Sequence, residues 1–160
     1  MKNKGFSLVE LIIVIAIMAI LAAAIAPALI RYIDKSRRSD DVAAAETVNT
    51  ATQAAFSNED AYDEVQEAFP TTSGGVTWLA AASQGADFDM ITTAGISNSG
   101  ATFLAEVNSS TNGGPSLKYK KNGASKWYIG ANFAGKPVVG IGISGSKTLE
   151  LQPSIDKSYK

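Results

Sequence analysis

The sequence predicts an α+β chain. A long N-terminal α-helix leads it, with an apolar first half that protrudes and an amphipathic second half packed on a C-terminal antiparallel sheet of about four strands. Three observations carry this. Residues 11–30 contain no charged side chain. Residues 42–56 then repeat apolar side chains at three- and four-residue intervals, the stripe of an amphipathic helix. Beyond residue 116, short alternating segments follow one another at nearly regular spacing between glycine-containing turns.

Leu11 to Ile30 is long enough to cross a hydrocarbon core, which takes about 20 apolar residues. Ala22, Ala23, Ala24 and Ala26 keep its end narrow, which suits close helix packing. Pro27 lacks a backbone donor and kinks or loosens the preceding turn. Lys2, Asn3, Lys4 and Gly5 precede Phe6, and one acid, Glu10, heads the apolar run. A charged side chain at the centre of a membrane helix costs roughly 2.5–3.5 kcal/mol, less toward the ends. A carboxylate placed there calls for a partner charge.

Three readings compete for residues 1–30. A secretory signal peptide has a basic start, an apolar core of about 7–15 residues and a small-residue cleavage site. Ala22-Ala23-Ala24 or Ala26-Pro27-Ala28 imitates such a site, but the run is long and Glu10 is out of place. A plain membrane anchor explains the length and not Glu10. The third reading explains both. Gly5-Phe6-Ser7-Leu8-Val9-Glu10 resembles the processing site of type IV prepilins. The resemblance implies a type IV pilin-like fold, cleavage after Gly5 by a dedicated peptidase, N-methylation of Phe6 and retention of Glu10. A proline such as Pro27, and melting of the helix around it in the fibre, are also family traits. The resemblance is specific for residues 1–30 and says little about residues 60–160 beyond a general layout.

A physical role for Glu10 follows. Cutting after Gly5 frees an ammonium on Phe6, and between two staggered helices that amine meets Glu10 of the next chain. A paired charge in a low-dielectric surround costs far less than a bare one, so the pair would fix axial register. The plainer alternative leaves Glu10 among lipid headgroups, marking the edge of the span. Lys2 and Lys4 suggest a cytoplasmic N-terminus, while Arg31, Lys35, Arg37 and Arg38 beyond the span blur the charge rule. The resemblance, not the charge count, places the bulk of the chain outside.

The helix is expected to continue from Phe6 to Ser57, about 52 residues and roughly 78 Å at 1.5 Å per residue. Its second half carries Val42, Ala45, Val48, Thr52 and Ala55 or Phe56 on one stripe. Glu59 to Phe69 reads as a short acidic helix with Tyr62, Val65 and Phe69 on one side, ended by Pro70, and 71–75 as a turn. From Val76 to Val107 short helices and loops are expected, with Trp78, Leu79, Phe88, Met90, Ile91, Phe103 and Leu104 as core. Asn108 to Pro115 reads as a loop. Four strands should follow: 117–120; the segment alternating Trp127, Ile129, Ala131 and Phe133 on one face; 138–143; and 147–151, with turns at Asn122-Gly123, 135–137 and Gly145. The expected organisation is a leader over 1–5, a transmembrane and filament-core helix over 6–30, and a head over 31–160. The head divides into an amphipathic helix 31–57, a variable connecting region 58–115, a β-meander 116–151 and a polar tail 152–160.

Composition narrows the chemistry. The formal net charge is −1 from 14 basic and 15 acidic residues, so no strong field selects nucleic acid or an anionic surface. There is no cysteine for a disulfide and no histidine for acid–base work or metal binding. Neither an enzyme, a cofactor nor a metal is expected. The Gly140-to-Gly145 GxGxxG spacing lacks the strand–helix setting of a phosphate loop. Asp87-Phe88-Asp89 and Glu59-Asp60 read as solvated acids without EF-hand spacing, and Asn108-Ser109-Ser110 as a sequon of little weight. Lys118, Lys120, Lys121 and Lys126 read as strand-edge protection rather than a DNA-binding patch.

The resemblance implies a bacterial structural subunit, membrane-inserted and then carried on the surface in a helical homo-oligomeric filament for adhesion, motility or DNA uptake. Its expected partners are the prepilin peptidase and methyltransferase, the pilus assembly machinery, and the bilayer before assembly; host-surface or DNA contacts stay open. Candidate assembly residues are Glu10, Pro27, Arg31, Arg37 and Arg38, with the arginines facing acids between Glu59 and Glu67 on a neighbour. A pseudopilin of a secretion system and a monomeric membrane-anchored binding module are the alternatives.

Overall fold

The computed structural model describes residues 5–91, 95–120, 123–143 and 147–159. Lys2, Asn3 and Lys4 of the expected leader, Lys121, Asn122 of the expected turn, and Ser144 and Gly145 lie outside the described residues. The architecture is α+β. Helix α1 spans Leu8–Ser57, close to the expected helix, with Pro27 inside it. Helix α2 spans Glu59–Val65 and runs into a 3-10 turn, Gln66–Ala68; α3 spans Ala101–Thr111. Strands β1 (Val76–Ser83), β2 (Asp89–Met90), β3 (Lys126–Asn132), β4 (Pro137–Ile143) and β5 (Lys147–Gln152) form one antiparallel sheet in the order β2-β1-β3-β4-β5. The chain divides into two compact units, Met1–Ser36 and Arg37–Lys160.

Within the second unit, the amphipathic stripe buries Ala45, Val48, Ala51, Thr52 and Ala55. Ala45, Val48 and Ala55 join one core cluster with Trp127, Ile129, Val139, Ile141, Leu149 and Leu151 from one face of the sheet and Phe103 and Val107 from α3. Phe56, half-buried, stacks on Phe103 at 5.7 Å and meets Tyr62 and Phe69 at 6.1 and 5.5 Å. The other sheet face is built differently. Gly140 and Gly142 of β4 leave room there for the rings of Trp78 and Tyr128, which pack edge to face at 6.0 Å. Aromatic cover over strand glycines is what the GxG spacing serves in this fold.

The sequence expectations need correction in six places. The sheet has five strands, and one of its inner strands, β1, falls in the region expected to be short helices and loops. A register shift between Trp78 and Ala80 breaks the alternation on which a strand is recognised. Trp78 is half-buried on the outer face rather than in the core. Residues 117–120 are not a strand: they have no ladder partner, and the N–H groups of Lys118 and Tyr119 donate to the Asp41 carboxylate instead. Asn108 to Thr111 are helical, and the Asn108 side chain accepts from the Phe88 N–H at 2.8 Å and donates to its carbonyl at 3.2 Å, which occupies the sequon asparagine. Phe133 is 53% exposed. It sits in the β3–β4 turn, where Asn132 Oδ1 accepts from Ala134 and Lys136 N–H and Gly135 takes a φ of +69°. The tail is not simply polar, since Tyr159 is buried and Ile155 packs on the core.

One buried acid organises the connecting region. Glu64 is 7% exposed, and its carboxylate accepts from Asn98 Nδ2 at 3.0 Å, Thr102 Oγ1 at 2.8 Å, and the backbone N–H groups of Thr102 and Phe103 at 2.9 and 3.1 Å. It thereby satisfies the first donors of α3, whose preceding residue, Gly100, has no capping side chain. Burial alone would raise the Glu64 pKa; the bonds from Phe103, Asn98 and Thr102 outweigh it and hold the carboxyl below its ordinary value.

Candidate assembly segment

The segment is built from its first turn upward. Ser7 precedes α1 and Glu10 is its third residue. Glu10 Oε2 accepts the Ser7 backbone N–H at 2.9 Å, and Leu11 N donates to the Ser7 carbonyl at 3.3 Å. This is the reciprocal arm of a capping box, and it sets a negative charge at the positive end of the helix. The Ser-x-x-Glu spacing carries that signal, which a reading of Glu10 as a partner for another chain alone passes over.

Downstream, α1 is long and apolar enough, by length and composition, to cross a membrane. Its large apolar side chains from Leu8 to Ile30 are all exposed, and Phe6 is 86% exposed. Glu10 is the one ionisable residue of that stretch. Gly5 stands in open space: a Cβ there would meet nothing within 4 Å, and its backbone is not in the left-handed region. The fold therefore gives no reason of its own for glycine at residue 5. Pro27 lies within continuous helix, where it denies the Ala23 carbonyl its usual donor.

The three candidate arginines differ. Arg31 and Arg37 are exposed. Arg38 is half-buried in the second unit, where its Nη2 donates to the Tyr119 hydroxyl at 2.8 Å and its guanidinium carbon lies 4.4 Å from the centre of that ring. Next to it, fully buried Asp41 accepts from Lys118 N at 2.6 Å, Tyr119 N at 2.9 Å and the Tyr159 hydroxyl. Tyr119 and Tyr159 meet edge to face at 5.8 Å. Burial, then the Asp41 hydrogen bond and its charge, push the Tyr159 hydroxyl well above the ordinary tyrosine range, against a smaller opposing effect of Arg38. By sequence Asp41 stands only among the charges that follow the span, because its partners lie 77, 78 and 118 positions away. Glu64, among the acids assigned to a neighbour, is spent inside the head, whereas Glu59, Asp60, Asp63 and Glu67 are exposed.

Residues 1–26 match the family described as the prokaryotic N-terminal methylation motif. The chain is also similar to the type IV major pilin protein PilA of Myxococcus xanthus (strain DK1622), 38% identical over 63 residues, which is 39% of this chain. These two matches support the type IV pilin family. The α+β arrangement, a long apolar-to-amphipathic helix with an antiparallel sheet, is consistent with a type IV pilin fold. The similarity spans 29% of the length of that pilin. No solved structure matches the chain.

Proposed function

We propose that this chain is the structural subunit of a type IV pilus. It enters the membrane as a prepilin, is cut after Gly5, is methylated on Phe6, and polymerises through the apolar part of α1 into a surface fibre. The observation that carries this reading is the segment from Gly5 to Ile30. It couples a methylation-motif match to an exposed apolar helix with a single ionisable group. An exposed apolar surface of that extent needs cover, from lipid first and from sister helices after extraction.

Glu10 has two successive partners in this account. In the precursor the Ser7 N–H and the helix dipole hold it. In the fibre the Phe6 ammonium of a neighbour adds a full charge, so only the correct stagger pairs both groups. Cleavage removes Lys2 and Lys4, leaving 12 bases against 15 acids on the mature chain. Adhesion, motility and DNA uptake are the roles this subunit class serves.

Immuno-electron microscopy of producing cells tests the reading. Long surface fibres labelled along their length by antibody to this head, absent when the gene is deleted, are the expected result. Label confined to the cell envelope, with no fibre, would refute it.

A further inference from the structure

Charge is segregated along this chain. Residues 39–117 carry eleven acids and no base, whereas residues 118–160 carry eight bases and two acids. A net charge near zero hides this polarity, and sign asymmetry between halves points to a charged partner. The fold concentrates it further. Leu117 is buried, Lys118 exposed, Tyr119 half-buried and Lys120 exposed, so the two lysines share the outer side of one extended segment. The Asp41 clamp on the Lys118 and Tyr119 N–H groups holds that segment in place. With Arg37, the lysines line a groove of about 660 Å³ whose other walls are Gln84, Ser116 and Leu117. The lysines therefore do not protect a strand edge, because no strand is there.

An acidic surface to match this groove lies on the same chain. Glu59 and Asp63 stand one turn apart on α2, flanked by Asp60 and Glu67, and all four are exposed. We infer that the groove of Arg37, Lys118 and Lys120 receives the acidic face of α2 from a second copy of this chain. The inference rests on the fibre reading and names its head-to-head contact. Two different patches on one surface make a heterologous contact, which propagates rather than closing on itself as a two-fold dimer. Complementary charge of this kind sets register and partner choice more than raw affinity. Arg38, drawn onto Tyr119, and Glu64, bound to α3, take no part.

Zero-length carbodiimide cross-linking of the full chain, in sheared fibres mixed from light and heavy isotope-labelled protein, tests this. Mass spectrometry should find mixed-isotope links from Lys118 or Lys120 to Glu59, Asp60, Asp63 or Glu67. The double variant Lys118→Glu/Lys120→Glu should lower fibre yield at least tenfold, and adding Glu59→Lys/Asp63→Lys should restore it, which misfolding would not allow. Fibres whose links lie elsewhere, or whose yield ignores the reversal, overturn the inference and leave the fibre reading standing. If a short DNA duplex is retained by these lysines while the reversal leaves fibres intact, the groove belongs to a polyanion and the inference is also overturned. Protein that stays single under every condition overturns both.

Discussion

The hydroxyl of Tyr159 donates to the buried carboxylate of Asp41, joining residues 118 positions apart in a chain without cysteine. The same carboxylate holds the 118–119 backbone, so three separated pieces of chain meet on one acid of α1. Hydrogen bonds to a charged group contribute about 1.5–3 kcal/mol each. Tyr159→Phe should therefore lower stability by about that much. Asp41→Ala should cost more, since two backbone donors and a hydroxyl lose their acceptor at once. Urea denaturation of the full chain in detergent, followed by tryptophan fluorescence, measures both.

The same pair predicts alkaline sensitivity. The Tyr159 pKa is raised by folding, so the folded state holds a proton that the unfolded chain gives up near pH 10. Its contribution is complete below that pH and is lost as pH rises toward the folded value. Denaturation midpoints should fall above about pH 10, and Tyr159→Phe should flatten that fall.

Glu64 acts at the opposite end of the scale. Its folded pKa is depressed below the ordinary 4.5, so its contribution is full above that pH and fades as pH drops through the folded value. Glu64→Gln should cost about 1–3 kcal/mol at neutral pH and remove part of the acid dependence. Hydrogen exchange at the first amides of α3 should report the loss locally.

Much of this was open to a reader of the sequence and some was not. The helix could be read because a chargeless run and a three-four stripe repeat over dozens of residues, and β3, β4 and β5 because turns bracket alternating segments. β1 could not, since Ala80-Ala81-Ala82 have weak strand preference and the shift beside Leu79 breaks the period. Leu117 to Lys120 alternates like a strand, yet its backbone bonds go to a side chain far away in sequence, which no local pattern encodes. The Ser7–Glu10 cap was within reach of local spacing. The roles of Asp41 and Glu64 were not, because each depends on chain brought in by tertiary folding.

Gly140 offers a packing test. A Cβ there would stand 2.8 Å from both the Leu149 carbonyl oxygen and Trp78 Cη2. The carbonyl belongs to the neighbouring strand and cannot swing aside. Gly140→Val should cost about 1–3 kcal/mol as overpacking, read as a lowered denaturation midpoint.

Glu10 separates two roles by substitution. Gln keeps a side chain able to accept the Ser7 N–H but carries no charge; Val does neither. If charge pairing between chains sets register, both variants should lose most of their fibres. Full fibre yield from Glu10→Gln, with loss in Glu10→Val, would assign Glu10 to capping alone.

In the proposed pathway the first apolar segment is processed before assembly. Intact-mass and peptide mass spectrometry of protein sheared from the cell surface tests it most directly. The expected species begins at Phe6, carries one methyl group on that amine, and lacks residues 1–5. A surface protein that retains Met1, or one cut near Ala24 or Ala28, would contradict it.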